Sequence, residues 1–364
     1  MIALLVALFI AQPDTVVLAG VPFTLQRLDA GPGEVNMAAG DFTGDGRMDT
    51  IAVSAGSHRL TLFAGDGRGR LTRRTSVQAG RNPTSVQAVD LNGDGHLDAV
   101  IANHETSHVT LLHGDGAGGF VEAPNSPVRV DVEPHPHVAR AHDIDDDGVL
   151  DLLVDDRNRG GIRVLPGLTG RSYLIDTGGD PYLGFDLADL DGNGFPDLVT
   201  PNPRTAAVAM NRGGSFSPPQ AIGTLAPFGV ALADLDHDGA PDLVAVSGEG
   251  SNDIEVWAGP NFSSRIARIP MSRGAKLVAT GDLNGDDVDD AVVCGWSAGL
   301  LVVAGGTLTT DSLSFEGNAW GLLLADFNAD GRDDLVVADG SSSRAVLYLS
   351  VTSETPAPNS GDRR

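Results

Sequence analysis

The chain has 364 residues, and at about 100–200 residues per domain that length alone suggests two domains. Its 47 Gly and 21 Pro with 5% aromatic residues mark a turn-rich protein, and a hydrophobic content of 41% excludes wholesale disorder. A formal charge of −25, from 49 acidic and 24 basic residues, excludes nucleic-acid binding through phosphates, which needs a cationic surface. The single Cys294 excludes an intrachain disulfide framework, and its apolar setting, AVVCG, reads as a buried inert thiol.

In chain order, residues 2–11 (IALLVALFIA) come first as an apolar run. A membrane span needs about 20 residues, so this run reads as the apolar region of a signal peptide. VLA at 17–19 offers cleavage before Gly20, which gives an expected signal peptide over 1–19. Residues 22–31 (PFTLQRLDAG) then read as a strand. A nine-residue pattern, Asp-φ-x-x-Asp/Asn-Gly-x-x-Asp with φ apolar, recurs seven times, starting at Asp41, Asp90, Asp143, Asp189, Asp234, Asp282 and Asp326. The spacings are 49, 53, 46, 45, 48 and 44 residues, so the repeats fill the chain and the two-domain guess fails. A short strand ending in small residues precedes each loop, as in LGFDLADL. A β-rich strand follows it, as in DAVIANH, then a third such as HVTLLHG and a fourth such as LTRRTSVQAG. Four strands per repeat describe a propeller blade, and the seven blades give an all-β, seven-bladed β-propeller over 20–350. The seventh repeat supplies only three strands. Residues 22–31 resemble the fourth strands of other blades and are expected to close the last blade as its outermost strand. The polar tail, 351–364, is expected to be disordered.

The loops have the chemistry of a metal cage. Positions 1, 3, 5 and 9 carry oxygen side chains, Gly at position 6 permits a turn through positive φ, and position 7 can turn its carbonyl inward. The candidate ligands are Asp41, Thr43, Asp45, Arg47 and Asp49 in the first loop. They are Asp90, Asn92, Asp94, His96 and Asp98 in the second, and Asp143, Asp145, Asp147, Val149 and Asp151 in the third. The fourth offers Asp189, Asp191, Asn193, Phe195 and Asp197, and the fifth Asp234, Asp236, Asp238, Ala240 and Asp242. The sixth offers Asp282, Asn284, Asp286, Val288 and Asp290, and the seventh Asp326, Asn328, Asp330, Arg332 and Asp334. The seven nonapeptides hold 27 aspartates against two basic residues, a net −25 equal to the formal charge of the whole chain. Clustering such charge without a cation is destabilising, so about seven calcium ions are expected. Asp/Gly-rich hairpin turns are the plainer alternative.

These loops, with flanks such as LFAGDGRGRL and LLHGDGAGGF, resemble FG-GAP/VCBS repeats, the family that includes the integrin α-subunit propeller. The resemblance covers about residues 22–350. It implies calcium in the hairpin between the first and second strands of each blade, with ligands docking on the opposite face. Two loops depart from the pattern: Thr43 is a neutral ligand at position 3, and Asp287 replaces the usual Gly.

The opposite face is expected to gather Arg81, His104, His135, His137, Arg157, Trp296 and Trp320, with His108, Tyr182, Arg204 and Phe228 nearby. His135 and His137, with Glu133, offer a transition-metal site or an acid–base pair, against a plainer reading as solvated loop histidines. The expected function is a secreted or cell-surface, calcium-binding module for a protein or glycan. No transmembrane segment is expected after signal cleavage, and the chain is expected to be a monomer. The alternative is a polysaccharide lyase with a His/Arg site at the channel mouth. No nucleophile or phosphate-loop motif supports an enzyme, although the fold alone excludes none.

Overall fold

Strands that follow the aspartate loops, such as Asp49–Ser54, Asp98–Asn103 and Asp242–Ser247, are buried along their full length. Alternation is absent because neighbouring sheets cover both of their faces. A computed structural model describes residues 15–132, 135–247, 252–271, 274–295, 299–315 and 317–351 of the chain. Among these, the strands form seven antiparallel sheets. Blade 1 is Val35–Gly40, Asp49–Ser54, Arg59–Gly65 and Leu71–Gln78, in that order from the axis outward. Blades 2 to 7 begin with Pro83–Val89, Ala139–His142, Asp186–Ala188, Pro227–Ala233, Ala275–Gly281 and Ala319–Ala325. First strands touch their neighbours around most of the ring, including Ala319–Ala325 against Val35–Gly40. They enclose a central channel of about 380 Å³.

Small residues in the first strands have a steric cause. A Cβ on Gly321 would sit 2.7 Å from the Val35 carbonyl oxygen of the next blade, and one on Gly229 would sit 3.0 Å from that of Lys276. Both glycines lie at register shifts, where a bulge brings the two backbones together. The core lies between blades. Ile144, Leu153, Ile162, Phe185 and Leu198, for example, form one cluster spanning blades 3 and 4.

Blade 7 contains Ala319–Ala325, Asp334–Asp339 and Arg344–Ser350, and Val21–Asp29 pairs with the last of these in register from Phe23↔Ser350 to Asp29↔Arg344. That strand is not outermost, because Thr15–Leu18 pairs outside it and makes this sheet five-stranded. The cause is apolar burial. Leu18 is fully buried with Phe23, Leu300 and Phe315, and the Ala19 N–H donates to Asp311 at 3.1 Å. Residues 15–19 thus pack in the fold although they fall within the segment read as removable. Residues 1–14 and the tail from 352 lie outside the described residues.

Candidate functional site

Each loop turns twice through left-handed backbone. Position 6 has φ from +64° at Asp287 to +90° at Gly239, and position 4 has φ from +58° at Ala329 to +78° at Gly285. Asp287 thus adopts the glycine-like conformation, which Asp tolerates better than most residues. The position-1 carboxylate accepts the N–H of position 5 at 3.0–3.3 Å and of position 6 at 2.8–2.9 Å in all seven loops. Position 9 lies at most 4% exposed. Its Oδ2 accepts the N–H of position 2 at 2.9–3.4 Å. Its Oδ1 accepts an N–H just beyond or at the end of the third strand at 2.6–3.0 Å. Position 9 therefore staples the loop to its own sheet, a role that a cage of ligands alone does not include.

In three loops the carboxylates converge. Oxygens of Asp143, Asp145 and Asp151 lie within 4.8 Å of one another, as do those of Asp189, Asp191 and Asp197, and of Asp234, Asp236 and Asp242. Hard oxygens so placed fit calcium, and a carboxylate oxygen that accepts one N–H retains a second lone pair for an ion. Position 5 stands outside these triads, its side-chain oxygen accepting the N–H of position 7 at 2.8–3.1 Å. In the fourth loop Arg212 reaches Asp191 at 2.5 Å and supplies positive charge of its own. In the second and seventh, the Asn92 and Asn328 amides donate to Asp94 and Asp330 at 3.0 and 3.1 Å. The Thr43 hydroxyl is shielded and close enough to ease the Asp49 carboxyl, but it makes no hydrogen bond of acceptable geometry. Burial pushes the position-9 carboxyls up, that of Asp290 to about 6 and that of Asp334 to about 7, against the lowering effect of their N–H donors.

The other rim carries the turns between second and third strands and the segments entering each first strand. His104 follows Asp98–Asn103, and His135 and His137 precede Ala139–His142. Their ring centroids are 3.6 Å apart for His104 and His135, 4.8 Å for His135 and His137, and 5.1 Å for His104 and His137. Tyr182 meets His137 edge-on at 5.0 Å and Phe228 at 5.4 Å. The Arg157 guanidinium lies 4.2 Å from the Tyr182 ring centre and is paired to Asp180 at 2.9 and 3.2 Å. Tyr182, Phe228 and Arg157 line a surface cavity of about 410 Å³. Across the channel mouth, Lys276 is fully buried with its Nζ 3.0 Å from the Trp320 ring centre and from the Ala319 carbonyl oxygen. Burial pushes its ammonium down to about 8.

Six of the seven residues expected on this face are present on it. Arg81 stands apart from the histidines, exposed beside Glu105 at 4.0 Å. Trp296 and Glu133 lie outside the described residues. Sequence reasoning missed Asp155, Asp180 and Lys276. The signal for Asp155 was an acidic residue in a strand with no exposed face, where a carboxylate needs partners. Cys294 is buried and its thiol pushed up to about 11, in keeping with an inert role.

The FG-GAP-like repeat pattern matches residues 41–101, 90–154, 189–245 and 234–293. No protein of curated function matches the chain in sequence. Among solved structures, BBS1N in complex with ARL6DN is 11% identical with a TM-score of 0.64, covering 90% of this chain and 96% of that one. A lectin of Agrocybe aegerita, described as recognising non-reducing terminal N-acetylglucosamine, is 16% identical with a TM-score of 0.52, covering 85% and 86%. Sqt1 of Saccharomyces cerevisiae is 12% identical with a TM-score of 0.54, covering 85% and 82%. At these identities the likeness is one of fold. Among the described residues, no helix is long and apolar enough to cross a membrane.

Proposed function

The chain belongs to the FG-GAP-like repeat family, and from that premise we propose a calcium-binding propeller that serves as a protein- or glycan-binding module, secreted or held at the cell surface. The observation that carries the reading is the continuous string His104–His135–His137–Tyr182–Phe228, which crosses four blades with Arg157 stacked on Tyr182. Flat rings beside a paired cation offer stacking and hydrogen bonding to a sugar or a peptide. Similar propellers support both uses: BBS1N was solved with a protein, and the Agrocybe aegerita lectin is described with a sugar.

Calcium fits the converging triads of the third, fourth and fifth loops, where the ion would bring a rigid rim. The third and fifth offer four carboxylates at positions 1, 3, 5 and 9 and are expected to bind tightest; the first and sixth are expected to be weakest. Binding is favoured over polysaccharide cleavage because Arg157, the cation nearest the histidines, is already held by Asp180. A glycan and protein screen of the full chain in calcium, with product analysis, tests this. Retention without turnover, lost in Tyr182→Ala, is the expected result. Turnover, or retention untouched by Tyr182→Ala, overturns the assignment.

A further inference from the structure

We propose that His104, His135 and His137 form a transition-metal site of the zinc class at the channel mouth, distinct from the oxygen-lined loops on the other rim, with its fourth position open to solvent. One ligand atom of each histidine lies within 4.8 Å of the other two. Tetrahedral ligands about 2.0–2.1 Å from zinc stand roughly 3.4 Å apart, so small side-chain rotations close the site. The site is built around His137. Its Nδ1 lies 3.1 Å from Asp155 Oδ2, and its own N–H and that of Val138 both donate to Asp155 Oδ1 at 2.8 Å. His137 is 8% exposed and Asp155 fully buried. A carboxylate behind an imidazole fixes its orientation and leaves Nε2 as the ligand nitrogen, the usual support for a metal-bound histidine. His104 is positioned by its backbone N–H, which donates to the Asn82 carbonyl at 2.8 Å, and its Nδ1 lies 3.3 Å from the Asn82 side-chain amide nitrogen.

Packed this closely, the three imidazoles each bring a ring nitrogen within reach of one shared cation. Imidazole nitrogens favour zinc, copper or nickel over calcium. His104 and His137 also line a cavity of about 180 Å³ with Tyr182 and Trp320. With three protein ligands, the fourth position remains for water or an anionic ligand.

The test uses the full chain, stripped of metal and reloaded with calcium, then titrated with Zn²⁺ and separately with Co²⁺. The expected result is one zinc ion bound per chain in excess calcium, and an intense visible Co²⁺ absorption of low-coordinate nitrogen ligation. Asp155→Asn should weaken zinc by about 10–100-fold. His135→Ala should weaken it further, with the melting temperature in calcium unchanged because its side chain bonds to none of the described strands. Absence of zinc binding in excess calcium, or affinity unaltered by His135→Ala, overturns the site. A weak, octahedral Co²⁺ spectrum does the same by placing the ion at the oxygen loops. None of these readouts involves a glycan or protein ligand, so the site stands or falls separately from the binding role.

Discussion

Replacing Asp98 by Ala separates the folding role of a loop carboxylate from the metal role proposed for it. Asp98 is fully buried and accepts the Leu91 N–H at 2.9 Å and the Gly114 N–H at 2.7 Å. Removing it leaves both donors without partners. An unsatisfied buried polar group costs about 1–3 kcal/mol, so the loss is about 2–6 kcal/mol even with every ion removed. Unfolding entropy of about 2 cal/mol/K per residue makes a propeller of this length lose roughly 0.7 kcal/mol per degree, and the midpoint falls by about 3–8 °C. Asp94, four residues earlier, gives the contrast. It is exposed, and its main partner is the exposed His96 N–H at 2.9 Å, which water can serve equally well. Asp94→Ala in chelator should cost about 0.5 kcal/mol or less, in the range of ordinary surface changes. Scanning calorimetry of both variants in excess chelator and in millimolar calcium measures this. Equal midpoints for the two variants in chelator would refute the staple and return position 9 to a purely metal-binding role.

Asp145→Ala removes a converging carboxylate from the third loop and should lower the midpoint in low calcium, with much of the loss recovered at high calcium because native-state binding follows mass action; equal destabilisation in both conditions would make Asp145 a turn residue. Deleting residues 15–29 removes buried Leu18, Val21, Phe23 and Leu28, about 6–12 kcal/mol at 1.5–3 kcal/mol per side chain, and bares the edge of Arg344–Ser350, whereas deleting residues 352–364 should leave the midpoint in place; comparable midpoints would refute the closure. Lys276 has a folded pKa of about 8 against an ordinary value of 10.5, so the unfolded chain binds the extra proton between those values and stability rises as pH increases through that window, by up to about 3 kcal/mol. Urea melts from pH 8 to 10 should show this rise in the native protein and a smaller one in Lys276→Met; parallel profiles would show that Lys276 is solvated.

The propeller was legible because its repeat is local: a nine-residue pattern returns seven times at a nearly constant period, and each copy brings the same flanking strands. The closing partner of Arg344–Ser350 was legible for the same reason, since residues 22–31 carry a fourth-strand pattern with no first three strands before it. Thr15–Leu18 was not read as a strand because an apolar TVVL beside an export-like run has the same composition whether it is removed or buried. Position 4 of the loops was missed as a left-handed site because Asp146, His237 and Ala329 occupy it alongside glycines, and only the backbone distinguishes them. The histidine cluster was half visible. His135 and His137 are neighbours in sequence, but His104 reaches them only through the stacking of blade 2 on blade 3, and Asp155 only through the pairing of the first two strands of blade 3.

The two rims also answer to different physics. On the loop rim, backbone donors hold position 9 and position 1 in each repeat, so the protein itself fixes part of each carboxylate's geometry before any ion arrives. Where position 3 is also a carboxylate, three acidic groups converge, and their mutual repulsion is what an ion relieves. In the second and seventh loops it is Asn, whose amide donates to the position-5 carboxylate and lowers that demand. The ion sites should therefore fill in a graded order, while the strands they join remain paired. On the opposite rim no such repeat exists: His104, His137, Tyr182 and Phe228 come from four unlike entry segments and turns. Blade geometry is common to all seven repeats, and it places these unlike residues at one mouth. On the reading proposed above, specific recognition would belong to the rim where the repeats differ, with the uniform rim as the frame that holds the differences in place.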